Sequence, residues 1–388
     1  MRIVADENIP YVHEAFGTLG EVVTVPGRGL RRADLAGAEL LLVRSVTRVD
    51  EALLAGTPVR FVASATIGFD HIDADWLAER GIPWATAPGC NAVAAAEYVT
   101  AAVLRAAERL GWTLAGRTAG IIGCGNVGSR VQRRLTALGL ECLVNDPPRA
   151  EREGAAGFVD LDTALGADIV TCHVPLTRGG PHPTVHLLDR ARLARLRPGT
   201  LLINTARGPV VDNTALLARL DAGDGCQAIL DVWEGEPALD PALLDRCLFG
   251  TPHIAGYSLE GRARGTEMIY QAVCRFLGVT PTWRAADVLP PVPEPDIHLG
   301  AAASPQTALA QAVRHAYDIE QDDATLRASL YQPRPARAAA FDRLRKEYPL
   351  RREFAGYTVH LPAEGAALAG PLDALGFQVA AAGSPSGF

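Results

Sequence analysis

Lysine is almost missing from this chain: of 37 basic residues only Lys346 is a lysine, and the rest are arginine. A Schiff-base lysine or a Gly-Lys-Ser/Thr phosphate loop would have to use Lys346, which lies in the charged run Arg343-Leu344-Arg345-Lys346-Glu347 with no glycine-rich loop before it. Pyridoxal-phosphate catalysis and P-loop nucleotide hydrolysis are thereby disfavoured, and any anion must be gripped by arginine forks, hydroxyls or backbone N–H groups. Excess positive charge is also missing. A net charge of -7 and a pI near 5.8 leave no footprint for nucleic acid. No run reaches the roughly 18 apolar residues of a membrane span, and the opening Met1-Arg2-Ile3-Val4-Ala5-Asp6-Glu7-Asn8 puts acids where a signal peptide needs an apolar core. The 7 cysteines are scattered and never spaced Cys-x-x-Cys, as expected of reduced thiols in a cytoplasmic protein with no metal site.

What is present is a chain of 388 residues, 48% hydrophobic and 21% charged, enough for two or three domains with filled cores. Apolar runs at Ile3–Ala5, Glu39–Arg44 and Val59–Ala63 alternate with helix or turn patterns, an α/β texture. An alanine-rich helix is expected from Asn91 to Leu110, between the cap Asn91 and the stop Gly111. Five strands should follow at Thr118–Ile122, Glu141–Asn145, Asp168–Cys172, Thr200–Asn204 and Gln227–Asp231, with room for crossover helices and hence a parallel, doubly wound sheet. A helix at Gly261–Leu277 should return the chain to the first domain, making that domain discontinuous. The proline cluster Leu289-Pro290-Pro291-Val292-Pro293-Glu294-Pro295 reads as a linker to a last unit with a helix at Thr307–Asp318 and a strand at Tyr357–Leu361. The expected division is 1–91 with 256–287, 92–255, and 288–388. The stripe Ala308, Ala312, Ala316 suits either a core of that last unit or a two-fold interface.

The sharpest local signal is Gly123-Cys124-Gly125-Asn126-Val127-Gly128, which follows the apolar Ile121-Ile122 and opens a helix pattern at Ser129–Leu138. Glycines there permit a tight turn and let helix N-terminal N–H groups approach a pyrophosphate. Asp146 ends the next strand, where an acid accepts hydrogen bonds from an adenosine ribose and repels the extra phosphate of NADP; Arg149 nearby pulls the other way. Three more clusters follow strands of the same domain: Asn204-Thr205-Ala206-Arg207-Gly208, Asp231-Val232-Trp233-Glu234-Gly235-Glu236-Pro237, and Thr251-Pro252-His253-Ile254-Ala255-Gly256-Tyr257. Taken singly they read as a surface arginine, an acidic loop and a structural histidine. Together they supply what oxidation of a 2-hydroxy acid needs: His253 takes the hydroxyl proton, Glu236 orients and charges the imidazole, and Arg207 clamps the carboxylate.

Those clusters, with Ala65-Thr66-Ile67-Gly68-Phe69-Asp70-His71-Ile72-Asp73, Ala96-Glu97-Tyr98 and His173-Val174-Pro175-Leu176-Thr177, resemble the D-2-hydroxyacid dehydrogenase family over about residues 1–280. A branch of that family acting on a phosphorylated sugar acid is matched by further segments, among them Asp6-Glu7-Asn8-Ile9-Pro10-Tyr11, Val43-Arg44-Ser45-Val46-Thr47 and His253-Ile254-Ala255-Gly256-Tyr257-Ser258-Leu259-Glu260-Gly261. The resemblance implies a Rossmann nucleotide domain, a discontinuous flavodoxin-like substrate domain and a C-terminal α+β dimerisation domain. It also implies NAD-dependent oxidation of 4-phospho-D-erythronate to (R)-3-hydroxy-2-oxo-4-phosphobutanoate, a step toward pyridoxal 5'-phosphate, by a cytoplasmic homodimer with no nucleic-acid or membrane partner. Carried over by position, Arg207, Glu236 and His253 are catalytic. Gly123, Gly125, Asn126, Val127, Gly128, Asp146, Ala206, Arg207, Asp231 and Gly256 line the NAD site, and Ser45, Thr66 and Tyr257 touch the substrate. Arg44, beside Ser45, is the candidate for the phosphate. Val174 stands where threonine is often expected. The competing readings are a 3-phosphoglycerate or glyoxylate/hydroxypyruvate dehydrogenase of the same family, and a non-enzymatic NAD-sensing module.

Overall fold

A computed structural model describes residues 1–300, 302–329 and 333–380. The chain forms two compact units, Met1–Asn91 with Tyr257–Pro291, and Ala92–Gly256 with Val292–Phe388. In the first, strands β1 (Arg2–Asp6), β2 (Glu21–Val25), β3 (Leu40–Val43), β4 (Phe61–Ser64) and β5 (Trp84–Ala85) make a parallel sheet in the order β2-β1-β3-β4-β5, the flavodoxin-like order. The central strands are buried on both faces, which is why they read as unbroken apolar runs. Ile3, Ala5, Leu40 and Leu42 point into one core, and Val4, Leu41 and Val43 into the other. The sequence reading missed β2 and β5. The first is a half-exposed edge strand and the second has two residues, so neither shows a buried run. The helix Leu259–Leu277 adds Ala263, Ile269, Tyr270 and Val273 to the first core; Ser258 caps its start by accepting the Gly261 N–H at 2.9 Å.

The second unit holds a six-stranded parallel sheet: β6 (Thr118–Ile122), β7 (Glu141–Asn145), β8 (Ile169–Cys172), β9 (Leu201–Asn204), β10 (Gln227–Leu230) and β11 (Phe249–Gly250), in the order β11-β10-β9-β8-β6-β7. The strand order reverses between β6 and β8, and ligands of such sheets collect at the carboxyl ends beside that reversal. The loops after β6, β8, β9 and β10 all open on this edge. The helix Ala92–Leu110 lies against the helices Asn126–Ala137 and Pro305–Ala316, its run of buried alanines allowing close approach.

Beyond Pro291 the chain packs onto this second unit. A small parallel sheet pairs β12 (Asp296–His298), which precedes the helices Pro305–Ala316, Ile319–Ser329 and Arg334–Lys346, with β13 (Thr358–His360) and β14 (Gln378–Ala380), which follow them. Leu326 and Phe341 join the core under β8–β10. Asp323 accepts the Gly250 N–H at 2.7 Å and Arg327 donates to the Leu244 and Cys247 carbonyls at 3.0 and 2.8 Å, so this region covers the open edge strand β11. Ala308 and Ala312, which the sequence left between core and interface, are buried within the chain itself.

Candidate active site

The glycine loop between β6 and the helix Asn126–Ala137 is shaped by contacts that exclude side chains. Gly123 has φ +84, and a Cβ there would lie 2.8 Å from the Val174 side chain and 3.0 Å from the His173 carbonyl carbon; one on Gly128 would sit 2.0 Å from the Gly123 oxygen. A Cβ on Gly125 would meet nothing within 4 Å, so packing does not require glycine there. Gly125 is the helix N-cap and has no side chain to satisfy the first N–H groups, while Asn126 is exposed and Val127 half-buried. Uncapped N–H donors behind a glycine cap are a fitting cradle for a dinucleotide pyrophosphate.

Asp146 directly follows β7 and caps the helix Pro147–Glu153. One of its carboxylate oxygens accepts the Cys124 N–H at 2.7 Å and the other accepts the Arg149 N–H at 3.0 Å, so it fixes the glycine loop as well as facing it. Arg149 is tied to Glu153 at 2.9 Å and to the Cys124 carbonyl at 2.8 Å, and thus braces the loop. After β8, His173 is half-buried between Thr171 at 2.9 Å and Thr205 at 3.3 Å, and desolvation pushes its pKa down to about 3, a neutral imidazole.

The three remaining loops are interlocked. Asn204 accepts the Ala206 N–H and donates to the Arg207 carbonyl, both at 3.0 Å, folding the loop on itself. A Cβ on Gly208 would lie 2.1 Å from the Trp233 carbonyl, so the arginine loop and the acidic loop touch backbone to backbone. Trp233 donates its indole N–H to the Thr251 carbonyl at 3.0 Å, tying the acidic loop to the histidine loop. Asp231 then holds that histidine loop: it accepts the Thr251 hydroxyl and the Ile254 N–H at 2.7 Å each and the Ala255 N–H at 3.0 Å, and its backbone oxygen takes the His253 N–H at 2.8 Å. Burial raises the Asp231 carboxyl above its ordinary range, against the pull of His253 and these donors.

Within this frame His253 adopts φ +57, a left-handed conformation uncommon outside glycine and a mark of sites where the surroundings dictate the backbone. Its Nδ1 lies 2.6 Å from the Glu236 Oε1, while Glu236 Oε2 accepts the Trp233 N–H at 3.3 Å. Burial opposes ionisation of Glu236, but the charge and hydrogen bond of His253, with Arg345 nearby, hold its carboxyl below the ordinary value. Glu234 faces elsewhere, toward His186 at 2.7 Å and the Asn213 N–H at 2.8 Å. Arg207 donates to the Ala206 carbonyl at 2.8 Å.

The remaining candidates lie in the first unit, at the carboxyl ends of its strands. Ser45 is exposed after β3. Thr66, after β4, bonds Ser64 at 2.7 Å, which bonds the His71 ring at 2.9 Å. The Tyr257 hydroxyl accepts from Arg44 at 3.4 Å.

Sequence reading assigns no role to Tyr98, seen there only within Ala96-Glu97-Tyr98, whose hydroxyl bonds Thr251 at 2.7 Å, nor to Arg351, which donates to the Ala255 carbonyl at 3.1 Å and the Ala94 carbonyl at 2.7 Å. Both support the histidine loop, Arg351 from outside the motifs.

Residues 90–255 match the family model "D-isomer specific 2-hydroxyacid dehydrogenase, NAD binding domain", and residues 288–376 match a domain of unknown function, DUF3410. An erythronate-4-phosphate dehydrogenase of Pseudomonas aeruginosa strain PAO1 is 52% identical over 360 residues, 92% of this chain and 95% of that one. Another, from Azotobacter vinelandii, is 51% identical over 379 residues, 97% and 100% of the two chains. The chain belongs to the erythronate-4-phosphate dehydrogenase family, within the D-2-hydroxyacid dehydrogenases. Like its family it is an NAD-dependent dehydrogenase. The wider family's fold reappears in the D-lactate dehydrogenase of Aquifex aeolicus, solved with NAD and lactic acid (TM-score 0.59, 26% identity, 72% of this chain and 96% of that one). A glyoxylate/hydroxypyruvate reductase of Sinorhizobium meliloti gives a TM-score of 0.60 at 26% identity over 71% and 93% of the chains.

Proposed function

We propose that the chain oxidises the 2-hydroxyl of 4-phospho-D-erythronate to the ketone, giving (R)-3-hydroxy-2-oxo-4-phosphobutanoate on the route to pyridoxal 5'-phosphate. The observation that carries the chemistry is the His253–Glu236 pair at 2.6 Å, on the same sheet edge as the glycine cradle; the substrate follows the name borne by the relatives. NAD, when bound, supplies the two-electron acceptor. With Nδ1 donating to Glu236, the Nε2 of His253 is the basic atom that takes the hydroxyl proton, and the Glu236 carboxylate stabilises the imidazolium that results. Arg207 holds the substrate carboxylate through its planar fork. Gly123, Gly125, Asn126, Val127 and Gly128 hold the pyrophosphate, with Asp146, Ala206, Asp231 and Gly256 as further cofactor contacts. Ser45, Thr66 and Tyr257 hold the sugar acid.

In this reading the first unit is the substrate domain, and 92–255 the NAD domain. The last hundred residues make the dimerisation domain of a cytoplasmic homodimer, in keeping with seven free cysteines. NADH formation measured side by side on 4-phospho-D-erythronate, 3-phosphoglycerate and glycerate tests the assignment. Preference for the first is expected; preference for either other substrate overturns it.

A further inference from the structure

We propose that Arg44 and Arg262 form a two-guanidinium clamp for the phosphate monoester of the substrate, with the Tyr257 hydroxyl at its side. The inference rests on the substrate reading above and adds the residues that recognise the phosphate.

Both arginines belong to the first unit and to the ligand edge of its sheet. Arg44 comes directly after β3, and Arg262 stands near the start of the helix Leu259–Leu277, beside the loop that leaves β1. Arg44 donates to the Tyr257 hydroxyl at 3.4 Å; Arg262 donates to the Asn8 carbonyl, also at 3.4 Å. These are long bonds to neutral acceptors. Among the described residues no carboxylate lies within ion-pair distance of either. Elsewhere in the same unit arginines find acids readily, Arg48 meeting Asp50 at 2.8 Å and Arg60 meeting Glu39 at 3.0 Å.

Both side chains are only partly exposed, and they repel each other. Burial lowers the Arg262 pKa, the charge of Arg44 lowers it further, and Tyr257 and Tyr11 offset this in part. Two partly desolvated cations bonded only to a hydroxyl and a backbone carbonyl are unfavourable in a purely structural role, which methionine or glutamine would fill without the repulsion. A phosphate monoester carries between one and two negative charges near neutrality and presents three acceptor oxygens, so it matches two forks at once. A carboxylate carries one charge and two acceptor oxygens, and the substrate carboxylate has Arg207. With Lys346 the sole lysine, no ammonium competes for the role.

Two measurements test the clamp on the full-length protein. Inorganic phosphate, titrated calorimetrically, should bind the wild type, and Arg44→Gln/Arg262→Gln should weaken it roughly 10- to 100-fold, with Arg262→Lys between the two. Second, kcat/KM on 4-phospho-D-erythronate should fall by that factor relative to kcat/KM on D-erythronate, in the double variant and, to a smaller degree, in Arg44→Gln alone. Phosphate binding that survives in the double variant, or is missing from the wild type, overturns the clamp, as do equal losses on the two substrates. A wild type that binds phosphate yet forms no NADH from 4-phospho-D-erythronate defeats the substrate reading and leaves the clamp standing.

Discussion

Asp231 and Glu97, both buried carboxyl groups of the second unit, are satisfied in opposite ways. Asp231, just past β10, receives three hydrogen bonds, all from Thr251, Ile254 and Ala255 in one nearby loop. Glu97, in the helix Ala92–Leu110, receives the Phe354 N–H at 2.9 Å on one oxygen, has Arg134 at 3.7 Å, and leaves its other oxygen without a hydrogen-bond partner. Asp231 is a local clasp that sets the His253 loop. Glu97 sits where the nucleotide sheet's helical layer meets the C-terminal region. Arg351 links the two places, holding the Ala255 carbonyl with one nitrogen and the Ala94 carbonyl with another while lying 4.0 Å over the Tyr317 ring. Ala255 is therefore gripped on both sides, its N–H by Asp231 and its oxygen by the C-terminal region. Chemistry is positioned by the saturated group, and the unsaturated one marks a joint between regions.

The largest expected effect on turnover comes from removing what the clasp presents. His253→Asn should lower kcat roughly 10²- to 10⁴-fold with NAD binding retained; a loss of only a few-fold would sink the proton-transfer assignment. Asp231→Asn comes next, because its amide would set a donor against the Ala255 N–H. About 1–3 kcal/mol of stability should go, and a displaced His253 should cost on the order of 10² in turnover. If Asp231→Asn instead raised the KM for NAD and left kcat alone, Asp231 would be a cofactor contact before it was a clasp.

Arg351→Met breaks the link while leaving both carboxylates. Two buried carbonyls lose their donors, which should cost roughly 2–5 kcal/mol in a denaturant titration, and kcat should fall roughly tenfold through the looser His253 loop. Arg351→Lys, able to reach one carbonyl, should recover part of each. Lost stability with unchanged kcat in both variants would make the C-terminal grip purely structural.

The same contrast explains what the sequence disclosed. Asp231, Glu236 and His253 stand at ends of strands or within a few residues of them, in segments whose glycines and acids have no better use, and β6 and β7 begin and end where the apolar runs do. Arg351 and Arg262 carry no such signal. In Arg351-Arg352-Glu353 and Glu260-Gly261-Arg262-Ala263-Arg264 they read as solvated charges, and only the tertiary fold reveals a donor to Ala255 or an arginine facing Arg44. The helices and small sheet after Pro291 were half-seen, at Pro305–Ala316 and Thr358–His360, because their apolar residues are spent on Leu326- and Phe341-type contacts with a distant sheet.

Glu97→Gln should leave turnover least affected and the pH dependence of stability most. Burial, then the charge of Glu353, raises the Glu97 pKa from 4.5 to about 8, against Arg351, Arg134 and the Phe354 N–H. Between those two values the folded chain keeps a proton that the unfolded chain has released, so folding is favoured at low pH and the contribution drains away as pH rises toward 8. Each pH unit in that window changes stability by up to about 1.4 kcal/mol. Glutamine keeps an oxygen for the Phe354 N–H and has no proton to lose, so the variant's melting temperature should fall less than the wild type's between about pH 6 and about pH 8, the upper part of that window. Parallel melting curves for the two proteins would place Glu97 among ionised, paired carboxylates like Glu236, and the joint to the C-terminal region would then be an ion cluster with Arg134 and Arg351 in place of a protonated acid.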